Sequence, residues 1–206
     1  MARPGPWDGG RARGRVPGPA GTHSTGAPGR GTVGLVPGRR SAGLLLYRLR
    51  DGGPEVLLVH PGGPLWARRD LGAWSIPKGE PGPGEEPLAA ARREFQEETG
   101  FAPAGPFLPL PAVRQRGGKE VLAWAVAGDL DPTAVRSATF SMEWPPRSGR
   151  RAEFPEVDRA AWFGIEAARE RILPGQAPLL EALRRLLGAA GPPGAREDGW
   201  RTGVIG

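Results

Sequence analysis

At 206 residues, with 34 glycines and 25 prolines, the chain has room for one domain of about 150 residues and low-complexity flanks. It has no cysteine, which excludes a disulfide framework and any thiolate metal site. The net charge of +6 is concentrated at the start, because residues 1–38 carry five arginines against one aspartate. A basic segment of this kind tolerates nucleic acid through counterion release.

Residues 1–38 are rich in Gly, Pro and Arg and show no hydrophobic periodicity, so they are expected to be a disordered tail. There are arginines near the N-terminus but no apolar h-region, and no apolar run approaches a membrane span. A soluble cytoplasmic protein without membrane contact is the expectation. The domain is expected to span 39–187, followed by a second disordered tail at 188–206.

Ser41–Leu49 and Glu55–His60 are continuous apolar runs separated by Asp51-Gly52-Gly53-Pro54. They predict a hairpin of strands covered on both faces. His60 to Leu71 is predicted to be a loop. In it, Trp66, Arg68 and Arg69 are candidates for a substrate mouth, Trp stacking on a base and Arg pairing with phosphate. A partly packed surface loop is the equal alternative, and His60 reads as a strand-end residue. Ala73–Pro77 is predicted as a short strand that delivers Lys78 and Gly79.

The next stretch is GEPGPGEEPLAAARREFQEETGF, Gly79 to Phe101. It predicts a helix from about Glu86 to Thr99, with Pro87 in its first turn and Gly100 at its end. Glu94, Glu97 and Glu98 then fall at i, i+3 and i+4 and share one face. Three like charges in one place repel unless a cation sits among them, and Mg²⁺ takes oxygen ligands and bridges carboxylates to phosphates. Leu88, Ala91, Phe95 and Thr99 form the neighbouring stripe.

The pattern G-x5-E-x7-R-E-apolar-x-E-E-x-G-apolar resembles the Nudix box at every specified position, with Phe95 and Phe101 at sites where aliphatic residues are commoner. That resemblance implies an α/β/α sandwich with a mixed sheet, in the α/β class, and hydrolysis of nucleoside diphosphates linked to another moiety. It also implies Mg²⁺, for which Mn²⁺ may substitute, with Glu97 and Glu98 as metal ligands and Glu94 as ligand or base. By the same resemblance the carbonyl of Lys78 ligates metal and Arg93 orients the carboxylates. Gly79, Glu85 and Gly100 belong to the motif, Glu85 binding metal or holding the loop. The ammonium of Lys78 is also placed to meet a phosphate oxygen.

Beyond the box, Phe107–Val113 predicts a weak strand and Arg114 to Lys119 a basic turn. Glu120–Ala127 predicts a core strand. Ser137–Trp144 has strand character, 145–151 reads as a loop, and a short strand lies around Ala161–Phe163. Helices follow at Ile165–Ile172 and Pro178–Leu187. In the resembling family the base is sometimes a glutamate shortly before a Trp-containing strand. Glu156 occupies that place ahead of Trp162, with Glu153 as runner-up; a structural acid paired with Arg150 or Arg151 is the alternative. The expected partner is a small nucleotide, either a nucleoside polyphosphate or a dinucleoside polyphosphate, with no obligate protein partner. Action on an RNA 5′ end and a non-catalytic nucleotide-sensing module are the other two readings.

Overall fold

The computed structural model describes residues 40–190. The readings for the N-terminal tail and for most of the C-terminal one lie outside this range. β1 (Arg40–Arg50) and β2 (Gly53–Pro61) form the expected antiparallel hairpin, turning on Asp51 and Gly52 with Arg50 opposite Gly53. Gly53 has φ of 105°, a conformation that favours glycine.

The segment after the loop departs from expectation. Ala73–Pro77 does not form a strand; Trp74 and Ser75 make single bridges to Ile172 and Val59. Pro77 has no N–H to continue a ladder, and its carbonyl accepts from Leu44. Pairing resumes only in β3 (Lys78–Gly79), antiparallel to β1 with Ala42 opposite Gly79 and Gly43 opposite Lys78. α1 (Pro87–Thr99) follows, ended by Gly100 at φ 81° with its N–H on the Gln96 carbonyl.

β4 (Leu108–Arg114) and β5 (Glu120–Ala127) pair antiparallel, and β5 runs parallel to β1. Two strands then form a separate hairpin, β6 (Thr139–Glu143) and β7 (Arg151–Pro155). Only the first of these is expected from the sequence; the second begins at Arg151, where the predicted loop ends. β8 (Val157–Gly164) is longer than the predicted strand and pairs with β2. α2 (Ile165–Arg171) and α3 (Ala177–Ala190) close the described chain, α3 running past Leu187.

The main sheet has the path β4-β5-β1-β2-β8, with β3 attached to β1. Alternation along β1 sorts its side chains to two cores. Ala42, Leu44 and Leu46 pack with Leu57, Val126 and the α1 residues Ala90, Ala91 and Phe95. Leu45 and Tyr47 pack on the other face with Ile165, Ala168, Leu179, Leu180 and Leu183 of α2 and α3. The architecture is therefore a mixed sheet between helical layers, the α/β/α arrangement expected. Among the described residues no helix is long and apolar enough to cross a membrane.

Candidate active site

The site is assembled where β3 passes beneath α1, and two glycines allow the approach. A methyl at Gly43 would press into the Pro77 carbonyl and the Lys78 Cβ, so its absence lets β3 lie on β1. A methyl at Gly79 would collide with the Glu94 carboxylate. The glycine of the motif is thus required by the carboxylate of the same motif, fifteen positions along the chain.

Arg93 organises the acids. Its Nε and Nη2 donate to both oxygens of Glu85, each at 2.9 Å. Its Nη1 donates to Glu94 at 2.8 Å and to Glu97 at 3.0 Å. The bidentate fork uses the planar geometry of guanidinium, which a lysine lacks. Glu85 in turn accepts from the Gly82 amide at 2.7 Å, so it holds the loop as well as the arginine. Those bonds, Arg93 first, pull the Glu85 carboxyl down to about 2.

Glu98 differs from its neighbours. It is only 8% exposed, and burial pushes its carboxyl up to about 8 despite the adjacent Lys78. Burial likewise lowers the Lys78 ammonium, opposed by Glu98. Both effects have one cause, since a water-poor setting disfavours each charge. Burial also raises Glu94 and Glu156. The like charges of Glu94 and Glu97 push Glu156 further, which sets this residue against the same cluster. Glu156 hangs from the backbone, its N–H on the Ala138 carbonyl and its carbonyl accepting from Gly62. Glu153 is exposed on the alternate face of β7, and Arg151 is turned to Ser141.

The loop candidates sit elsewhere. Trp66 packs against the core on the α3 side, and Arg69 lies over its ring at 5.3 Å. Among the described residues, no hydrogen bond or ion pair joins Trp66, Arg68 or Arg69 to Glu94, Glu97, Glu98 or Glu156. His60 is fully buried, with Nδ1 2.7 Å from Asp158 and Nε2 2.7 Å from the Arg69 carbonyl. It pins the loop to β8. Lys119, in the turn before β5, makes an ion pair of 3.0 Å with Glu80, one residue beyond Gly79. The basic turn therefore touches the site's rim, a contact with no local signature because 39 positions separate the pair.

The donor set suits a hard divalent cation. It offers carboxylate oxygens from Glu94, Glu97 and Glu98, with a buried acid at its centre that a cation would hold ionised. Among the described residues, no three acidic or histidine side chains stand close enough together to hold a metal ion by themselves. Mg²⁺ does not require such a set, because it keeps waters and takes substrate phosphates as ligands.

The NUDIX domain family model matches residues 37–183, which is most of the chain. No curated protein matches it. Among solved structures, a Caenorhabditis elegans Ap4A hydrolase binary complex is 23% identical with a TM-score of 0.52, over 72% of this chain and 98% of that one. The NUDIX domain of Shewanella oneidensis NrtR, complexed with ADP ribose, is 16% identical with a TM-score of 0.52, over 77% and 94%. A mutT/nudix family protein from Listeria innocua is 16% identical with a TM-score of 0.50, over 76% and 98%. At these identities the likeness shows the shared fold. The match over residues 37–183 makes the chain a member of the NUDIX domain family, a Nudix hydrolase.

Proposed function

We propose that the chain hydrolyses a pyrophosphate bond in a nucleoside polyphosphate or dinucleoside polyphosphate, using Mg²⁺ or Mn²⁺. The observation that carries this reading is the set of acids that Arg93 gathers, Glu85, Glu94 and Glu97, with Glu98 buried on the same helix and half-buried Lys78 beside it. A divalent cation held there neutralises phosphate oxygens and lowers the pKa of bound water. Glu97 and Glu98 would hold the cation, with Glu94 and the Lys78 carbonyl completing the protein's share. Arg93 fixes Glu94 and Glu97 in angle and keeps Glu85 on the loop. The Lys78 ammonium offers a point charge to a phosphate oxygen.

Glu156 is the proposed base. It stands against the other acids from a different element and, unlike Glu94 and Glu97, is not bonded to Arg93, so its oxygens are available to take a proton. Trp66, Arg68 and Arg69 remain as proposed outer contacts for a long substrate, Trp66 with part of its ring packed on the core. A panel of nucleoside triphosphates, dinucleoside polyphosphates and triphosphorylated RNA, with and without Mg²⁺ and with products identified, tests the reading. Cation-dependent release from free nucleotides is expected. Cleavage of the RNA end alone would transfer the activity to that substrate, and binding without turnover would make the chain a sensor. Within the site, Glu156→Gln is expected to lower kcat at least about tenfold, with Mg²⁺ affinity within a few-fold and Glu153→Gln milder. A crippling Glu153 change would show the pair misassigned.

A further inference from the structure

The segment 73–77 forms no strand, yet it leads directly into Lys78 and Gly79, and it is held from two sides. Ser75 exchanges both backbone bonds with Val59 of β2, at 3.0 and 2.9 Å. The connection between α2 and α3 holds the other side. The Trp74 N–H donates to the Arg171 carbonyl at 2.9 Å, and the Trp74 carbonyl accepts from Leu173 at 2.7 Å. The next donor on that side, the Ile76 N–H, is taken by a side chain. It donates to Oε1 of Gln176 at 3.0 Å, across 100 positions of chain. Gln176 is fully buried at the end of a three-residue 3₁₀ turn, Pro174–Gln176. The turn is closely seated, since a methyl at Gly175 would come within 2.9 Å of the Arg114 carbonyl. Nε2 of Gln176 has no hydrogen-bond partner among the described residues. An apolar side chain of the same size would avoid burying that group, so packing alone does not account for a glutamine here.

What this bond controls lies two residues on. Pro77 has no N–H and a fixed φ, and its carbonyl accepts from Leu44. A shift at Ile76 is therefore passed on to Lys78. Lys78 lies opposite Gly43 of β1, and its backbone N–H bonds to the buried Glu98 carboxyl. We propose that Gln176 is a positioning residue for the cation site, aligning the Lys78 peptide with Glu98 from the α2–α3 side of the sheet. The proposal rests on the cation reading above. It assigns to a buried amide, far from the motif in sequence, the task of fixing the one backbone stretch that the site uses.

The test titrates Mn²⁺ into the full chain without nucleotide and reads free Mn²⁺ by electron paramagnetic resonance. Gln176→Met keeps the length of the side chain and removes Oε1. It is expected to weaken Mn²⁺ binding about tenfold or more, as when a group that orients a metal ligand is lost. Gln176→Glu, which keeps an acceptor oxygen, is expected to bind within a few-fold of the native protein. Leu180→Ala, an equally buried loss on the same side of the sheet, is expected to lower the urea midpoint while leaving Mn²⁺ affinity within a few-fold. Gln176→Asn withdraws the amide by one methylene and decides the matter if the Met variant does not fold; it is expected to bind more weakly than the Glu variant. Native affinity in a folded Met or Asn variant, or an equal loss in Leu180→Ala, would show that Gln176 only packs and would overturn the proposal. A native chain that binds no Mn²⁺ would instead overturn the cation reading itself, and the proposal with it.

Discussion

α1 and α3 cover opposite faces of one sheet and are nearly equal in length, yet they bury different things. α3 turns Leu179, Leu180 and Leu183 inward, each fully buried, and is a packing element throughout. α1 buries Ala90, Ala91 and Phe95 and then, in its last turn, Glu98 and Thr99. A buried carboxylic acid opposes folding unless it is paired or protonated. α3 thus buries apolar side chains, whereas α1 also buries a carboxylic acid, which we propose serves a cation. Phe95 is the apolar anchor of α1.

The largest effect that sharpens this contrast is expected from Gly79→Ala. The added methyl drives the Glu94 carboxylate out of place, and kcat is expected to fall about 10²-fold or more, as when a preorganised charged group is lost. The same methyl added at Gly188, on α3 with open space around it, is expected to leave kcat unchanged. Steady-state kinetics on both variants checks the pair.

Next in size are the two anchors. Phe95→Ala is expected to cost about 3–5 kcal/mol and Leu183→Ala about 2–5 kcal/mol in urea unfolding. Only the α1 change should also depress kcat in protein that is still folded. Equal kinetic damage from Leu183→Ala would erase the distinction between the faces.

The smallest effect is the acid limb. Glu85 is held at about 2, against an ordinary value of 4.5, by its bonds to Arg93 and Gly82. A depressed carboxyl stabilises the fold fully above its ordinary value and loses that contribution as pH falls through the folded one. The Tm difference between the native protein and Glu85→Gln is therefore expected to be complete at neutral pH and to shrink from about pH 4.5 to about pH 2. A difference that grows on acidification would reverse the sign and contradict the pairing.

The sequence announces the α1 side more clearly than the rest of the molecule. The helix, its glycine end and its carboxylate face were legible because the 3.6-residue period sets them locally. Glu85 and Gly79 were legible only as members of a motif; their reasons, a fork to Arg93 and a gap for Glu94, are tertiary. The two-faced burial of β1 and β2 followed from unbroken apolar runs. The β6–β7 hairpin was half legible, since two prolines and a glycine separate strands whose apolar alternation is short. Trp66 shows the limit most clearly. An aromatic residue in a Pro/Gly loop suits a substrate mouth and a partly packed surface loop equally, and nothing in the local sequence foretells that Trp66 packs against the core cluster. Lys119 beside Glu80 could not be read, because nothing local links a hairpin turn to the start of the box.

The central claim is that Glu98, buried at the end of α1, serves a cation rather than the fold. The measurement that tests it most directly is Mg²⁺-dependent nucleotide hydrolysis by Glu98→Gln, with urea unfolding of the same protein without metal. The account predicts a kcat lower by about 10²-fold or more at saturating Mg²⁺, with stability equal to or above that of the native chain. Near-normal turnover, or an unfolded variant, would contradict it.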